Sequence, residues 1–167
     1  PDVVHSHTVQ GMSAVALARP GRRGVPHVHT LHDYWLLCQR TAMVQRDGTA
    51  CDSPCRSCAA ITAVRDRQVR GHAPDLLLAV SRAVALEHER VPWAVGRTRV
   101  LHNPVEPAPE VRPARSSRGS GIVFGYLGQL APHKGVATLL EAFRRAAIPD
   151  ARLLLGGRGP LLDAAAA

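Results

Sequence analysis

Short apolar runs recur along the chain, separated by helix-length segments. Residues 2–5, 25–31, 76–80, 99–101, 122–127 and 151–155 read as strands, because each run is brief and rich in Val, Leu or Ile. Between them, residues 12–18, 59–70, 82–89 and 136–147 read as helices. Pro20 and Gly21 close the first helix, Gly71 follows the second, and Ser81 is placed to cap the third. In the fourth, Val136, Leu139, Leu140, Phe143 and Ala147 share one face. Fully apolar strands alternating with helices predict an α/β fold of Rossmann-like parallel sheets, covered on both faces. Ligands of such sheets sit beyond the carboxyl ends of the strands. That rule singles out the segments 5–7, 29–33 and 125–134.

Two stretches break the alternation. Residues 40–58 are irregular and polar, with turn signals at Asp47-Gly48 and Ser53-Pro54. Residues 107–120 carry Pro107, Pro109 and Pro113 and then a run of Ser and Gly, a linker composition that predicts a domain boundary. The expected organisation is therefore residues 1–106 with a Cys-rich insert at 38–58, a linker at 107–120, and a second domain from 121 to 167. The chain starts inside a strand-like run and ends in a helix-like run of alanines, so it reads as an internal fragment.

Composition adds constraints. Aromatic residues make up 4% of the chain, so Val, Leu, Ala and Ile must build the core. No apolar run approaches the roughly 18 residues of a membrane span, and no signal peptide is visible. The expected location is cytoplasmic, with the inner face of the membrane as an alternative. The net charge of +8 permits contact with phosphates, nucleic acid or an anionic membrane. The arginines are scattered and have no interleaved aromatics to stack on bases, so nucleic acid is not an expected partner.

Three groups of residues carry candidate chemistry. Lys134 is the only lysine in the chain and lies in a strand–turn–helix segment with Gly128 and Gly135. Such a turn sets backbone N–H groups and a cation where a phosphate would bind. His32 follows the strand at 25–31, where a ligand is expected, and Asp33 is placed to orient it or to cap the next turn. His5 and His7 share one face of a strand, with no third metal ligand in view. All four cysteines, Cys38, Cys51, Cys55 and Cys58, fall within 21 residues. Four thiolates suit a structural zinc site that would pin a loop without a core. An iron–sulfur cluster, disulfides and unligated thiols are the alternatives.

Five segments, taken in order, carry a resemblance. They are Asp-Val-Val-His-Ser-His at residues 2–7, His-Thr-Leu-His-Asp-Tyr-Trp at 29–35, Ala-Val-Ser-Arg at 79–82, Val-Leu-His-Asn-Pro-Val-Glu at 100–106 and Gly-Tyr-Leu-Gly-Gln-Leu-x-x-x-Lys-Gly at 125–135. Together they resemble group 1 (family 4) glycosyltransferases, two-domain enzymes of GT-B type. The resemblance implies hexosyl transfer from a nucleotide-diphosphate sugar to an acceptor hydroxyl, with retained anomeric configuration. It makes residues 1–106 the end of the N-terminal, acceptor-side domain and residues 121–167 the start of the C-terminal, donor-binding domain. The acceptor would be a lipid, a polysaccharide or a small molecule, and the basic acceptor half suits peripheral membrane contact.

The resemblance also implies roles for residues. His32 is the candidate catalytic residue, placed beside donor sugar and acceptor. Gly128, Gln129, Lys134 and Gly135 form the candidate donor-binding turn, where Gln129 stands at a position the family fills with Arg. Asn103 falls in the loop after the last strand of the first domain, and the glycine turn at 156–160 resembles one near the nucleotide. The family's acidic pair, which holds donor sugar and ribose, belongs to a region beyond residue 167, so the fragment alone is expected to be inactive. Two rival readings stand beside this one. One is a zinc-stabilised basic module that binds nucleic acid. The other is a radical SAM enzyme, suggested by the Cys-x3-Cys-x2-Cys spacing of Cys51, Cys55 and Cys58. The spare Cys38, and Ser57 where that class carries an aromatic, count against it.

Overall fold

In the computed structural model, residues 1–45, 48–107 and 121–161 are described. The chain divides into two compact units, Pro1–Pro107 and Ala108–Ala167. Arg46, Asp47, residues 108–120 of the expected linker and residues 162–167 with the terminal alanine run lie outside the described residues.

Unit 1 is a parallel sheet with strands β1 (Val4–His7), β2 (His27–Leu31), β3 (Leu76–Ala79) and β4 (Thr98–Val100) in that order. Parallel neighbours need long crossovers, and helices α1 (Val15–Ala18), α2 (Arg56–Val69) and α3 (Arg82–His88) lie within them. The core gathers Leu17, Leu31, Leu36, Val69, Leu77, Ala79, Val84 and Val91. Ser81 caps α3 as its sequence position predicts, its Oγ accepting from the Val84 N–H at 3.2 Å. Strand bounds shift from the expected ones by up to two residues.

Two helices differ more. α1 is a single turn, because Gly11 and Ser13 take positive φ (81° and 71°) and hold residues 11–13 out of the helical region. α2 begins three residues earlier than its apolar pattern indicates, at Arg56. Cys55, extended at φ −65° and ψ 165°, is its N-cap, so Cys58 lies in the first turn rather than in an irregular loop.

Unit 2 pairs β5 (Val123–Leu127) with β6 (Arg152–Gly156) in parallel across α4 (Val136–Ala146). Val136 is fully buried, and Phe143 meets Phe124 edge to face at 5.8 Å. The apolar strands predict burial on both faces, yet Val123, Leu127 and Leu154 are 44%, 91% and 60% exposed. The reason is geometric: among the described residues a single helix packs on two strands, which covers one side only. Both units are α/β with parallel, Rossmann-like sheets. Among the described residues, no helix is long and apolar enough to cross a membrane.

Candidate active site and the cysteine cavity

The carboxyl ends of β1 and β2 bring together residues 25 positions apart. His7 ends β1 and His32 follows β2, and parallel pairing of His7 with Thr30 sets them side by side. Their rings lie 5.2 Å apart at 30°, with His7 Nδ1 2.9 Å from His32 Nε2. The His5 ring lies tilted at 36° to that of His7, centroids 4.5 Å apart, and its Nε2 is 2.8 Å from the Thr30 hydroxyl. His32 is exposed, so it is free to meet a ligand. Asp33 does not hold His32. Its Oδ1 accepts from the Trp35 N–H at 2.8 Å and its Oδ2 from the Gln10 side-chain amide at 2.5 Å. It therefore caps the turn after β2, one of its two expected roles. Gln10 was not singled out by the sequence; polarity just past a strand end was its only signal.

Beneath this rim lies a buried network. His27 and His29 alternate on β2 and face Ser6 of β1, whose Oγ is 2.7 Å from His27 Nε2 and 2.8 Å from His29 Nδ1. The protons can be assigned. His27 Nδ1 faces the Leu17 carbonyl at 3.0 Å, and a carbonyl only accepts, so Nδ1 carries the proton. Neutral His27 then accepts at Nε2 from the Ser6 hydroxyl, and Ser6 oxygen accepts from His29 Nδ1–H. Burial is the main cause that lowers both pKa values, that of His29 to about 4 with help from His27, His7 and His88. Two histidines at period two in an apolar strand are the sequence signal for this pair.

The segment after β2 is clamped by α2 and α3. Thr62 Oγ1 donates to the Leu37 carbonyl at 3.2 Å, and the Arg65 guanidinium lies 4.2 Å over the Trp35 ring while donating to the Trp35 carbonyl. Tyr34 stacks on His88 of α3 at 6.1 Å. These contacts leave a cavity of only about 10 Å³ behind His32, room for about one water.

In unit 2 the two glycine turns lock together. The Gly128 N–H donates to the Gly156 carbonyl at 2.9 Å, and the Leu130 N–H donates to the Arg158 carbonyl at 2.9 Å. Gly157 approaches so closely that a Cβ there would lie 1.8 Å from the Gly128 carbonyl oxygen. Lys134 closes a short 3-10 turn, Pro132–Lys134, ahead of α4. Gly135 takes φ 70° and begins α4 with no side-chain cap. Lys134 and Gln129 are exposed. Asn103 is exposed in an irregular segment of unit 1.

A cavity of about 360 Å³ in unit 1 lies elsewhere. Cys38, Cys51, Cys55 and Cys58 all line it, with Asp66, Glu87, Arg90 and Met43. Cys38 is buried, Cys55 is exposed and the other two are intermediate. None is in a disulfide. Hydrogen bonds from the Ser57 hydroxyl and then from Cys58 lower the Cys55 pKa to about 7. The thiols ring the cavity without converging: among the described residues, no three His, Cys, Asp or Glu side chains gather closely enough to hold an ion.

The structure thus joins His32 to His7 and places the four cysteines around one space. The donor-turn residues Gly128, Gln129, Lys134 and Gly135 lie together in unit 2. No curated protein matches the chain with statistical significance. The family model for Glycosyltransferase Family 4 matches residues 1–108, which hold the whole described sheet of unit 1 with its paired histidines. The chain belongs to glycosyltransferase family 4.

Proposed function

We propose that the chain serves transfer of a hexosyl group from a nucleotide-diphosphate sugar to an acceptor hydroxyl with retention, residues 1–107 forming the acceptor side and residues 121–161 the start of the donor-binding domain. The observation that carries the donor reading is the uncapped start of α4 with Lys134 exposed beside it. The first N–H groups of a helix have no partner within the helix, and the macrodipole there favours an anion. A lysine at that end opposes the dipole unless a phosphate joins it. At about 4 Å the pair would gain on the order of 4 kcal/mol at an effective dielectric near 20, before desolvation. Gln129 adds donors but no charge, so Lys134 carries the ionic part alone.

Binding is the primary readout, because the acidic pair that the family implies for donor sugar and ribose has no counterpart among the residues described above. Calorimetry with UDP, GDP and ADP should find one nucleoside diphosphate that binds. Lys134→Ala should weaken it about 10- to 100-fold, the loss of a charged hydrogen bond. Gln129→Arg should tighten it by restoring a guanidinium fork. Unchanged affinity in Lys134→Ala would remove the anchor. No binding by any of the three would remove the donor reading.

His32, with His7 against it, is the candidate catalytic residue, positioning donor sugar and acceptor. Its replacement by Ala should lower kcat/KM of the transferase on the order of 10²-fold while nucleoside diphosphate affinity stays the same. Equal loss in both would mean that His32 supports only the fold. Exposed Arg19, Arg22 and Arg23 suit an acceptor at the anionic inner face of a membrane, in the cytoplasm. Co-flotation with phosphatidylserine vesicles but not with phosphatidylcholine vesicles tests that contact.

A further inference from the structure

We propose that Cys38, Cys51, Cys55 and Cys58 bind a single zinc ion that fixes residues 39–55 against α2. Three observations outside the transferase site point to it. The first is placement. Cysteines from three separate local structures line the same 360 Å³ cavity. Cys38 sits in the turn after β2, its N–H bonded to the Tyr34 carbonyl at 2.8 Å. Cys51 is returned by a small antiparallel hairpin, with Val44 bridging Ala50 and the Cys51 N–H donating to the Met43 carbonyl at 2.8 Å. Cys55 and Cys58 are the N-cap and the third helical residue of α2. A turn, a bridge end and a helix start thus each contribute to the four ligands that tetrahedral binding needs.

The second observation is what residues 39–55 lack. Among the described residues of that segment none is buried, and its only sheet pairing is the one bridge. The fifteen described residues of 39–55, with so little packing, cannot offset their own ordering entropy, which runs to about 1–2 kcal/mol per residue for the backbone alone. Coordination of their cysteines supplies what the core does not.

The third is charge. Asp66 Oδ1 is buried with no hydrogen-bond partner, and Asp66 lines the same cavity. Its other oxygen already takes Arg70 at 2.6 Å. An unpartnered carboxylate oxygen on the cavity that the four thiols line favours a cation over an anion. Glu87 also lines the space but is paired with Arg90 at 2.9 Å. Arg65, close to Cys38 and Cys58, would balance part of the charge of a four-thiolate site. Thiolates prefer a soft or borderline ion, which selects zinc over magnesium or calcium.

Since the thiols ring the cavity without converging, binding must draw Cys38 and Cys51 toward Cys55 and Cys58 at the start of α2. Each thiol releases its proton to solvent as its sulfur bonds the ion, and no electron moves. α2 stays in place, held by Thr62 on the Leu37 carbonyl and Arg65 on Trp35.

The test is metal analysis of the purified, reduced protein, followed by cobalt(II) titration after chelation. About one zinc per chain is expected, with cobalt giving the ligand-field and sulfur charge-transfer bands of a tetrahedral thiolate site. Cys51→Ser and Cys55→Ser should each lose stoichiometric binding, and chelation of the wild type should speed proteolytic cleavage within 39–55. Cobalt titration of the wild type keeps the proposal falsifiable if a variant fails to fold. Reduced protein that binds neither metal and shows four freely reacting thiols would overturn it. So would zinc retained by the Cys51→Ser, Cys55→Ser double variant, or an iron–sulfur spectrum. None of these readouts involves sugar transfer, so the site stands or falls apart from the transferase reading.

Discussion

Acidification from pH 6.5 to pH 4 is expected to cost unit 1 about 3 kcal/mol through His29 alone, whose pKa falls from 6.5 to about 4 on folding. The sign follows from proton uptake. In this window the unfolded chain protonates His29 and the folded chain does not, so the unfolded state gains as pH falls. Stability is fully present above pH 6.5 and is lost progressively down to pH 4. His27 and His88 are lowered by burial too and act in the same direction. Protonation would also break the Ser6 relay, because a doubly protonated His27 has no lone pair to accept the Ser6 hydroxyl. A loss of this size is a large part of the 5–15 kcal/mol that typically holds a domain together. Denaturant unfolding at pH 7, 6, 5 and 4, followed by the unit 1 tryptophans Trp35 and Trp93, measures it. His29→Asn keeps a polar partner for Ser6 and should flatten the profile while costing stability at pH 7. A wild-type midpoint that stays level from pH 7 to pH 4 would contradict the buried neutral assignment.

Gly157→Ala is the second large effect. Its new Cβ would lie 1.8 Å from the Gly128 carbonyl oxygen, a backbone atom that moves only if β5 and β6 part. The φ of 151° adds strain for any L side chain. Unit 2 should lose on the order of 3 kcal/mol or more, the class of effect expected when steric overlap and a special backbone angle coincide. The Gly128–Gly156 hydrogen bond should open with it, so nucleoside diphosphate affinity should fall along with stability. Gly125→Ala is the control, since a Cβ there meets nothing within 4 Å and the strand backbone accepts any residue. Hydrogen exchange of the β5 and β6 amides reads the difference. Equal protection in the two variants would refute the steric account.

The elements differ in how far the sequence reveals them. α4 was legible almost residue by residue, because an apolar stripe at helical spacing meets a glycine start. The Ser81 cap was legible because one hydroxyl before a helix has one obvious partner. α2 was legible in type but not in its beginning, since Ser and Cys are weak helix formers and Cys55 becomes an N-cap only once its extended backbone is known. The exposed face of unit 2 was not legible. An apolar strand records what it needs to bury, not whether a covering layer is present.

The candidate sites divide along the same line. The sequence by itself determined an α/β chain, a glycine turn with one lysine, a histidine after the second strand and four clustered cysteines. Those follow from periodicity, spacing and residue chemistry, which are local. Only tertiary structure decided that His32 bonds His7, that Asp33 reaches Gln10 rather than His32, and that His27 and His29 share Ser6. These pairings depend on the register of β1 against β2, set by packing among residues more than 20 positions apart. The same holds for Gly157, whose need for hydrogen in place of a side chain comes from a carbonyl on the neighbouring strand's turn. Register and close approach are relations between segments, and no single segment encodes them.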